Sequence, residues 1–201
     1  MDLNGSIYMN KFIEFDSGVD FWSTAVEYIG NLDGLSLGVS GGSAGEIVTK
    51  LENDSEIFLV DERMVDYNSE FCNCRQLREL DDSLRITCMK HDEDFQLSLP
   101  YQLDIAVMGI GSDGHFASLF EKSDFSSKEV IVETETDNHE IKKRISLSMN
   151  YLLKTSKVLF LLKGESKKSI WDKLKNNQVG GLPIGYFMDN FDGEILFLYL
   201  K

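Results

Sequence analysis

The 201 residues are 42% hydrophobic and 27% charged, the balance of a globular protein long enough to bury a core, and we expect a single domain over 1–201. The formal net charge of −14, without any basic arm or stripe, argues against nucleic acid as a partner. No apolar run reaches membrane-spanning length and the N-terminus lacks a signal-peptide pattern, so we expect a cytoplasmic protein with no membrane partner.

Apolar runs alternate with stretches of helical periodicity along the chain. In chain order the predicted elements are a helix over 20–29, a strand over 35–39, a helix over 44–51, a strand over 57–60, a helix over 71–80, strands over 84–89 and 105–108, a helix beginning over 116–120, a strand over 158–162, a helix over 165–175 and a strand over 195–200. This alternation predicts an α/β fold, a three-layer, mainly parallel, doubly wound and Rossmann-like sheet with helices on both faces. Ligands bind such sheets beyond the carboxyl ends of the strands, where three polar loops fall, at 40–43, 61–63 and 109–115.

The first polar loop, Ser40-Gly41-Gly42-Ser43, lies between a predicted strand and a predicted helix. The N–H groups of such a turn form a nest for an anion, the helix N-terminus adds favourable partial charge, and the hydroxyls can donate. The segment is neither a P-loop nor a dinucleotide-binding loop. It is typical of a phosphate site, and the alternative is a helix N-cap with two turn glycines.

The second loop, Asp61-Glu62-Arg63, follows an apolar strand. The planar guanidinium of Arg63 could clamp a phosphate or an oxyanion, and Asp61 could order Arg63 or bind a sugar hydroxyl. The alternative is a solvated charge triplet at a strand end.

The third loop, Gly109 to His115, carries three glycines and an Asp around a histidine, directly after the apolar run 105–108. Glycine allows close approach of the backbone to a ligand, and a histidine there suits proton transfer near neutral pH. Asp113 could orient the imidazole or cap the helix that we predict after it. A Gly-rich turn with an exposed histidine is the alternative.

Two further basic positions follow, at Arg144 (preceded by Lys143) and at Lys167, although lysines on helices are usually solvated. His91 and His139 stand in acidic, irregular surroundings, and we interpret both as surface residues.

The three cysteines are Cys72, Cys74 and Cys88. Cys72 and Cys74 are too close for an ordinary disulfide and lack a second pair for zinc, so we expect three reduced, structural thiols. We likewise expect no metal in catalysis.

Five stretches in order resemble the 6-phosphogluconolactonase family, within the glucosamine-6-phosphate isomerase/lactonase fold group. They are LGVSGGS at 37–43, DERMV at 61–65, MGIGSDGHFASLF at 108–120, RISLS at 144–148 and GESK at 164–167. The family usually has Pro at the position of Ser112, Thr at that of Phe116 and Pro at that of Glu121, and a longer stretch after Val65. These differences leave the charged positions of the motifs unchanged and are expected to alter the rim of the pocket.

The resemblance implies a cofactor-free hydrolysis of 6-phospho-D-glucono-1,5-lactone to 6-phosphogluconate in the oxidative pentose phosphate pathway. It implies that His115 is the general base on a water molecule, and that Arg63 or a loop N–H near 109–111 stabilises the oxyanion. The catalytic residues would then be His115, Asp113, Arg63 and Asp61, and the residues for substrate and phosphate Ser40, Gly41, Gly42, Ser43, Gly109, Gly111, Gly114, Arg144 and Lys167. The partner would be a small sugar-phosphate lactone, and we expect a monomer or a weak homodimer.

Two alternatives come from other classes of protein. A glucosamine-6-phosphate deaminase or isomerase shares the Gly-x-Asp-Gly-His loop, but it usually continues into an Asn-Glu segment and carries Asp-Glu-Tyr, whereas this chain has Ala-Ser-Leu-Phe at 117–120 and Arg63. A non-catalytic sugar-phosphate-binding module would be favoured by loss of the histidine or the arginines, and all of these are present.

Overall fold

The computed structural model describes residues 10–51, 56–90 and 92–201. Its strands are β1 (Lys11–Phe15), β2 (Ser36–Val39), β3 (Glu56–Leu59), β4 (Asp61–Arg63), β5 (Ile86–Thr87), β6 (Ile105–Met108), β7 (Ile131–Glu135), β8 (Lys143–Leu147), β9 (Lys157–Lys163) and β10 (Glu194–Leu200). Its α-helices are α1 (Gly18–Ile29), α2 (Gly42–Gly45), α3 (Asn73–Leu80), α4 (Glu93–Ser98), α5 (Met149–Leu152), α6 (Lys168–Lys175) and α7 (Pro183–Asn190). Short 3-10 helices cover Glu46–Lys50 and Glu165–Lys167.

Seven strands form one parallel sheet in the spatial order β1-β10-β9-β6-β2-β3-β5. The chain moves outward from β2 to β3 and β5 on one side, and from β6 to β9 and β10 on the other. Because parallel crossovers are right-handed, helices of the two halves cover opposite faces, which is the doubly wound α/β arrangement that the sequence predicts. The direction reverses between β2 and β6, which pair side by side, and this is the position where ligands bind such sheets.

The central strands form the core because both of their faces are covered. All four residues of β6 are buried, as are the middle five of β9 and of β10. Aromatic rings continue the packing across strands: the Phe160 ring stacks on Phe197 with centroids 5.1 Å apart, and Phe12 stacks on Phe197 at 4.7 Å. Continuous apolar runs therefore predicted these strands correctly, with shifts of at most one residue at their ends.

A second, three-stranded antiparallel sheet has the order β4-β8-β7. In its register Arg63 of β4 lies opposite Arg144 of β8. The prediction of 61–63 as a loop is therefore wrong, because these residues pair with a strand far along the chain. Strands β7 and β8 form a hairpin with its tip at 136–142.

The segment 116–120 does not begin a helix, which corrects the sequence prediction. Ala117 has a φ of 47°, and Phe116 forms bridges with Ile110 and Leu119. The Phe116 ring packs edge-on against Phe160 and Phe187, at 5.6 and 5.1 Å between centroids. The apolar residues of this segment reach the core from a compact turn. Their spacing matches that of a helix face, which is why the sequence predicted a helix.

Two predicted helices are interrupted. The helix predicted over 44–51 divides into the four-residue α2 and the 3-10 helix Glu46–Lys50, and the one over 165–175 begins with the 3-10 helix Glu165–Lys167. Among the described residues, no helix combines the length and apolar character that crossing a membrane requires.

A disulfide joins Cys74 of α3 to Cys88, the residue after β5, with 5.4 Å between their Cα atoms. Cys72 remains a free, buried thiol. The prediction of three reduced thiols is thus wrong for two of them, since the spacing of Cys72 and Cys74 says nothing about a partner on the next strand.

Candidate active site

A cavity of about 470 Å³ opens at the carboxyl ends of β2 and β6, at the reversal point of the sheet. The loops after these two strands, β4, β8, the tip of the β7–β8 hairpin and the 3-10 helix before α6 contribute its walls. Every residue that the sequence predicted for the site lines the cavity except Gly114: Ser40, Gly41, Gly42, Ser43, Asp61, Arg63, Gly109, Gly111, Asp113, His115, Arg144 and Lys167. The three polar loops therefore meet around one space, although the second belongs to a strand.

Glycines shape the loop that carries His115. The N–H of Gly111 donates to the carbonyl of His115 at 2.8 Å, and the N–H of Gly114 donates to the carbonyl of Gly111 at 2.9 Å. A Cβ on Gly111 would stand 2.1 Å from His115 Nδ1, so only glycine lets the imidazole lie against the loop. Gly114 has a φ of +80° and packs against Leu182, so its role lies in the shape of the loop, outside the cavity wall.

Asp113 holds the imidazole of His115. One carboxylate oxygen, Oδ1, lies 2.5 Å from Nδ1 and also accepts the backbone N–H of His115 at 3.3 Å. This hydrogen bond lowers the pKa of Asp113 to about 2, so the carboxylate stays ionised. With Nδ1–H donated to Asp113, the lone pair resides on Nε2. Of the two roles predicted for Asp113, orientation is the one that the geometry supports, because no helix begins here.

Arg63 is held by a residue that the sequence analysis did not identify. Its Nη1 donates to the carbonyl of Phe71 at 2.9 Å and to Oδ1 of Asn73. The amide nitrogen of Asn73 in turn donates to the carbonyl of Asp61 at 2.9 Å. The guanidinium is thus ordered by the first residue of α3 and by the segment before it rather than by the Asp61 carboxylate, and no motif in the sequence marks Asn73 for this role.

The carboxylate of Asp61 is buried beneath the cationic groups. Its Oδ2 accepts the hydroxyl of Ser118 at 2.6 Å, and burial raises its pKa, opposed by this hydrogen bond and by the nearby Arg63 and Arg144. Arg144 is also buried, donates from Nε to the carbonyl of Ile141 at 2.8 Å, and has its pKa lowered, mainly by burial and then by Arg63. The carboxylate therefore offsets two guanidinium groups that would otherwise repel each other.

The remaining cation, Lys167, donates from Nζ to the carbonyl of Ile110 at 2.7 Å, and burial lowers its pKa. Opposite it, the hydroxyl of Ser40 accepts the N–H of Gly109 at 3.2 Å, which ties the two Gly-rich loops together. The α-helix after Ser40 has only four residues, so its dipole is small. An anion here would therefore be held mainly by the N–H groups of the turn and by the cations, and less by the helix N-terminus than the sequence predicted.

His139 is exposed, as the sequence predicts, but it also lines the cavity, which the sequence did not predict. Its ring lies edge-to-face with that of His115, with centroids 5.1 Å apart, and Phe120 packs against both rings. Burial lowers the pKa of His139, and the charges of His115 and Arg144 lower it further. The sequence did hold one signal for this placement: two segments of alternating polarity, β7 and β8, flank a polar stretch, which is the pattern of a hairpin. His91, the other histidine assigned to the surface, lies outside the described residues.

The chain is similar to known proteins in both sequence and fold. A family model described as glucosamine-6-phosphate isomerases/6-phosphogluconolactonase matches residues 19–196. A probable 6-phosphogluconolactonase of Dictyostelium discoideum is 27% identical over 183 residues, which covers 72% of this chain and 75% of that protein. A 6-phosphogluconolactonase of Helicobacter pylori strain 26695 is 31% identical over 175 residues, covering 75% and 77%.

Among solved structures, a 6-phosphogluconolactonase from Shewanella baltica superposes with a TM-score of 0.81 at 23% identity, covering 98% of this chain and all of that one. The resemblance carried by the five sequence stretches is confirmed, since the family match includes every residue that lines the cavity. The chain belongs to the family of glucosamine-6-phosphate isomerases and 6-phosphogluconolactonases.

Proposed function

We propose that this protein hydrolyses 6-phospho-D-glucono-1,5-lactone to 6-phosphogluconate, the lactonase step of the oxidative pentose phosphate pathway. The observation that carries the proposal is the His115–Asp113 pair in the wall of a cavity also lined by Arg63, Arg144 and Lys167. The pair supplies a base for water, and the cations suit an anionic substrate. The relatives reported above bear the name of this activity.

In the proposed mechanism, Nε2 of His115 takes a proton from a water molecule, and the water oxygen bonds to C1 of the lactone. The negative charge that develops on the carbonyl oxygen is stabilised by Arg63 or by an N–H of the loop at 109–111. When the tetrahedral intermediate collapses, the C1–O5 bond breaks and the ring oxygen receives the proton from His115. Asp113 stabilises the imidazolium between the two transfers, and general-base catalysis of this kind contributes about 10²–10⁴ in rate.

The phosphate of the substrate would lie between the turn at 40–43 and the side chains of Arg144 and Lys167. Both cations are partly withdrawn from solvent, which strengthens their attraction for a dianion. The net charge of −14 opposes an anionic ligand at long range, so binding depends on this local cluster.

A deaminase of the same family is the second candidate, and the segment after His115 argues against it. Leu119 is fully buried and Phe120 packs against His115, so these positions offer no carboxylate to the cavity. The next acidic residue, Glu121, is exposed and belongs to a different depression in the surface.

The test measures hydrolysis of lactone generated freshly by glucose-6-phosphate dehydrogenase, above the spontaneous rate, with ammonia release from glucosamine 6-phosphate assayed in parallel. We expect lactone hydrolysis without ammonia release, and His115→Ala should lower kcat by about 10²–10⁴. Ammonia release without lactonase activity would overturn the assignment. Full activity of His115→Ala would overturn the proposed mechanism, but it would not change the assignment of the chain to its family.

We propose in addition that the protein works in the cytoplasm, as one domain, and as a monomer or weak homodimer. Fractionation of cells would test the location, and light scattering over a range of concentrations would test the oligomeric state.

A further inference from the structure

His139 brings a second imidazole to the cavity from a separate part of the chain. One potential ligand atom from each of Asp113, His115 and His139 lies within 4.8 Å of the other two. His139 follows His115 by 24 residues, so no spacing pattern in the sequence reveals the group. It forms only because the β7–β8 hairpin folds its tip over the loop that carries His115.

Two imidazole nitrogens and one carboxylate oxygen are ligands that suit zinc and neighbouring divalent transition metals. The three residues face a cavity, so a fourth position remains open to water or another small ligand. His115 is half-buried, and Asp113 and His139 are exposed at the cavity, so an ion has an open path of entry. We propose that Asp113, His115 and His139 bind a divalent transition metal ion, and that the bound ion inhibits the enzyme.

The hairpin tip is braced in a way that holds His139 in position. The N–H of Thr136 donates to the carbonyl of Lys142 at 3.1 Å, and Lys142 pairs with Asp137 at 3.0 Å. Phe120 packs against the rings of both histidines, so their relative orientation is set before any ion arrives. A preformed site of this kind binds without a large cost of ordering.

Arg63 and Arg144 line the same cavity and repel a cation. Because this repulsion weakens binding, we expect that an ion binds only when all three ligands contribute. Inhibition follows because the ion occupies an imidazole nitrogen of His115, and an imidazole that ligates a metal cannot take a proton from water. This inhibition rests on the lactonase activity proposed above, whereas the binding itself does not.

The binding test uses chelator-treated full-length protein titrated with Co²⁺, followed by its visible absorption, and with Zn²⁺, followed by calorimetry. We expect one ion per chain for the wild type and at least tenfold weaker binding for His139→Ala, the order of loss seen when a supporting residue of a metal site is removed. Asn138→Ala is the matched control, because it changes the adjacent cavity-lining residue of the same tip and leaves the three ligands intact. His139→Gln replaces the alanine variant if that variant unfolds.

The inhibition test measures lactone hydrolysis with added Zn²⁺, and then with excess chelator. We expect reversible inhibition of the wild type and of Asn138→Ala, and at least a tenfold shift to higher Zn²⁺ for His139→Ala. Absence of binding to the wild type, or equal binding by His139→Ala, would overturn the site. If wild-type protein without metal shows no hydrolysis, the lactonase proposal fails, and the titration still decides whether the site exists.

Discussion

At the scale of single residues, His115 depends on Asp113 for both its orientation and its tautomer. The hydrogen bond from Nδ1 directs Nε2 away from the loop, and the low pKa of Asp113, about 2, keeps its acceptor ionised throughout the neutral range. Three further side chains, Arg63, Arg144 and Lys167, each hydrogen-bond a backbone carbonyl, so they too are placed before substrate binds. Preorganised groups of this kind lose little energy to reorientation during the reaction.

Replacing Asp113 by Asn should lower kcat by at least about tenfold, because the neutral amide stabilises the imidazolium less and permits the other tautomer. KM should change little, since Asp113 contacts His115 rather than the predicted phosphate position. Steady-state kinetics on freshly made lactone would check this, with circular dichroism as the control for folding. A variant with the wild-type kcat would show that His115 needs no orienting carboxylate.

Replacing Lys167 by Met should raise KM for the phosphorylated lactone by roughly tenfold or more, the loss expected for one charge-assisted hydrogen bond. KM for the unphosphorylated lactone should change less, and this difference is the measurement that assigns the residue. Lys168→Met is the matched control, because that neighbouring lysine pairs with Asp172 outside the cavity. Equal changes for both lactones would remove Lys167 from the phosphate position.

At the scale of elements, the accuracy of the sequence predictions depended on how each segment is buried. Strands such as β6 and β9, covered on both faces, leave continuous apolar runs and were found. The short β4 carries charged residues and pairs with β8 across about 80 residues of chain, so its local pattern resembled a loop. The polar loops at 40–43 and 109–115 were placed correctly at the cavity, because both follow parallel strands of the large sheet. Asn73 and His139 were missed because only tertiary pairing brings them there.

Contacts between elements also explain why Gly41 is a glycine. A Cβ at this position would stand 1.9 Å from Oδ1 of Asn73, the atom that holds Arg63. Gly41→Ala should therefore displace Asn73, free Arg63 and lower kcat/KM by about tenfold or more, the effect of one lost positioning hydrogen bond. Gly180→Ala is the control, since its Cβ would meet nothing within 4 Å. Kinetics and thermal unfolding of the two variants would separate the site effect from a loss of stability, and equal activity of both would contradict the role of Asn73.

At the scale of the whole molecule, an acidic protein gathers partly buried cations at one edge of its sheet. The guanidinium groups of Arg63 and Arg144 come from facing positions of the small sheet, and the buried carboxylate of Asp61 lies beneath them. The net charge of −14 predicted that an anionic ligand would need a local cluster of cations. It did not predict which residues form the cluster, because a net charge carries no information about where cations meet. The register of two strands supplies that information.

The disulfide acts on the stability of the whole fold. It closes a loop with a sequence separation of 14, which should contribute about 3 kcal/mol to the free energy of unfolding. The variant carrying both Cys74→Ser and Cys88→Ser should lose about this amount in urea unfolding, and a reductant should destabilise the wild type but not the variant. Cys72→Ala, which removes the free thiol, should leave the response to reductant unchanged. A wild type indifferent to reductant would contradict the cross-link.

The pairing of a large and a small sheet has a consequence for the evolution of such a site. The proton-transfer pair is anchored to the large sheet, whereas two arginines and the hairpin tip arrive on the small one. The histidine and its aspartate are thus held by different elements from the hairpin. Insertions or exchanges in the β7–β8 hairpin can reshape what enters the cavity while the histidine and its aspartate keep their geometry, which makes this hairpin the natural place to graft a new specificity.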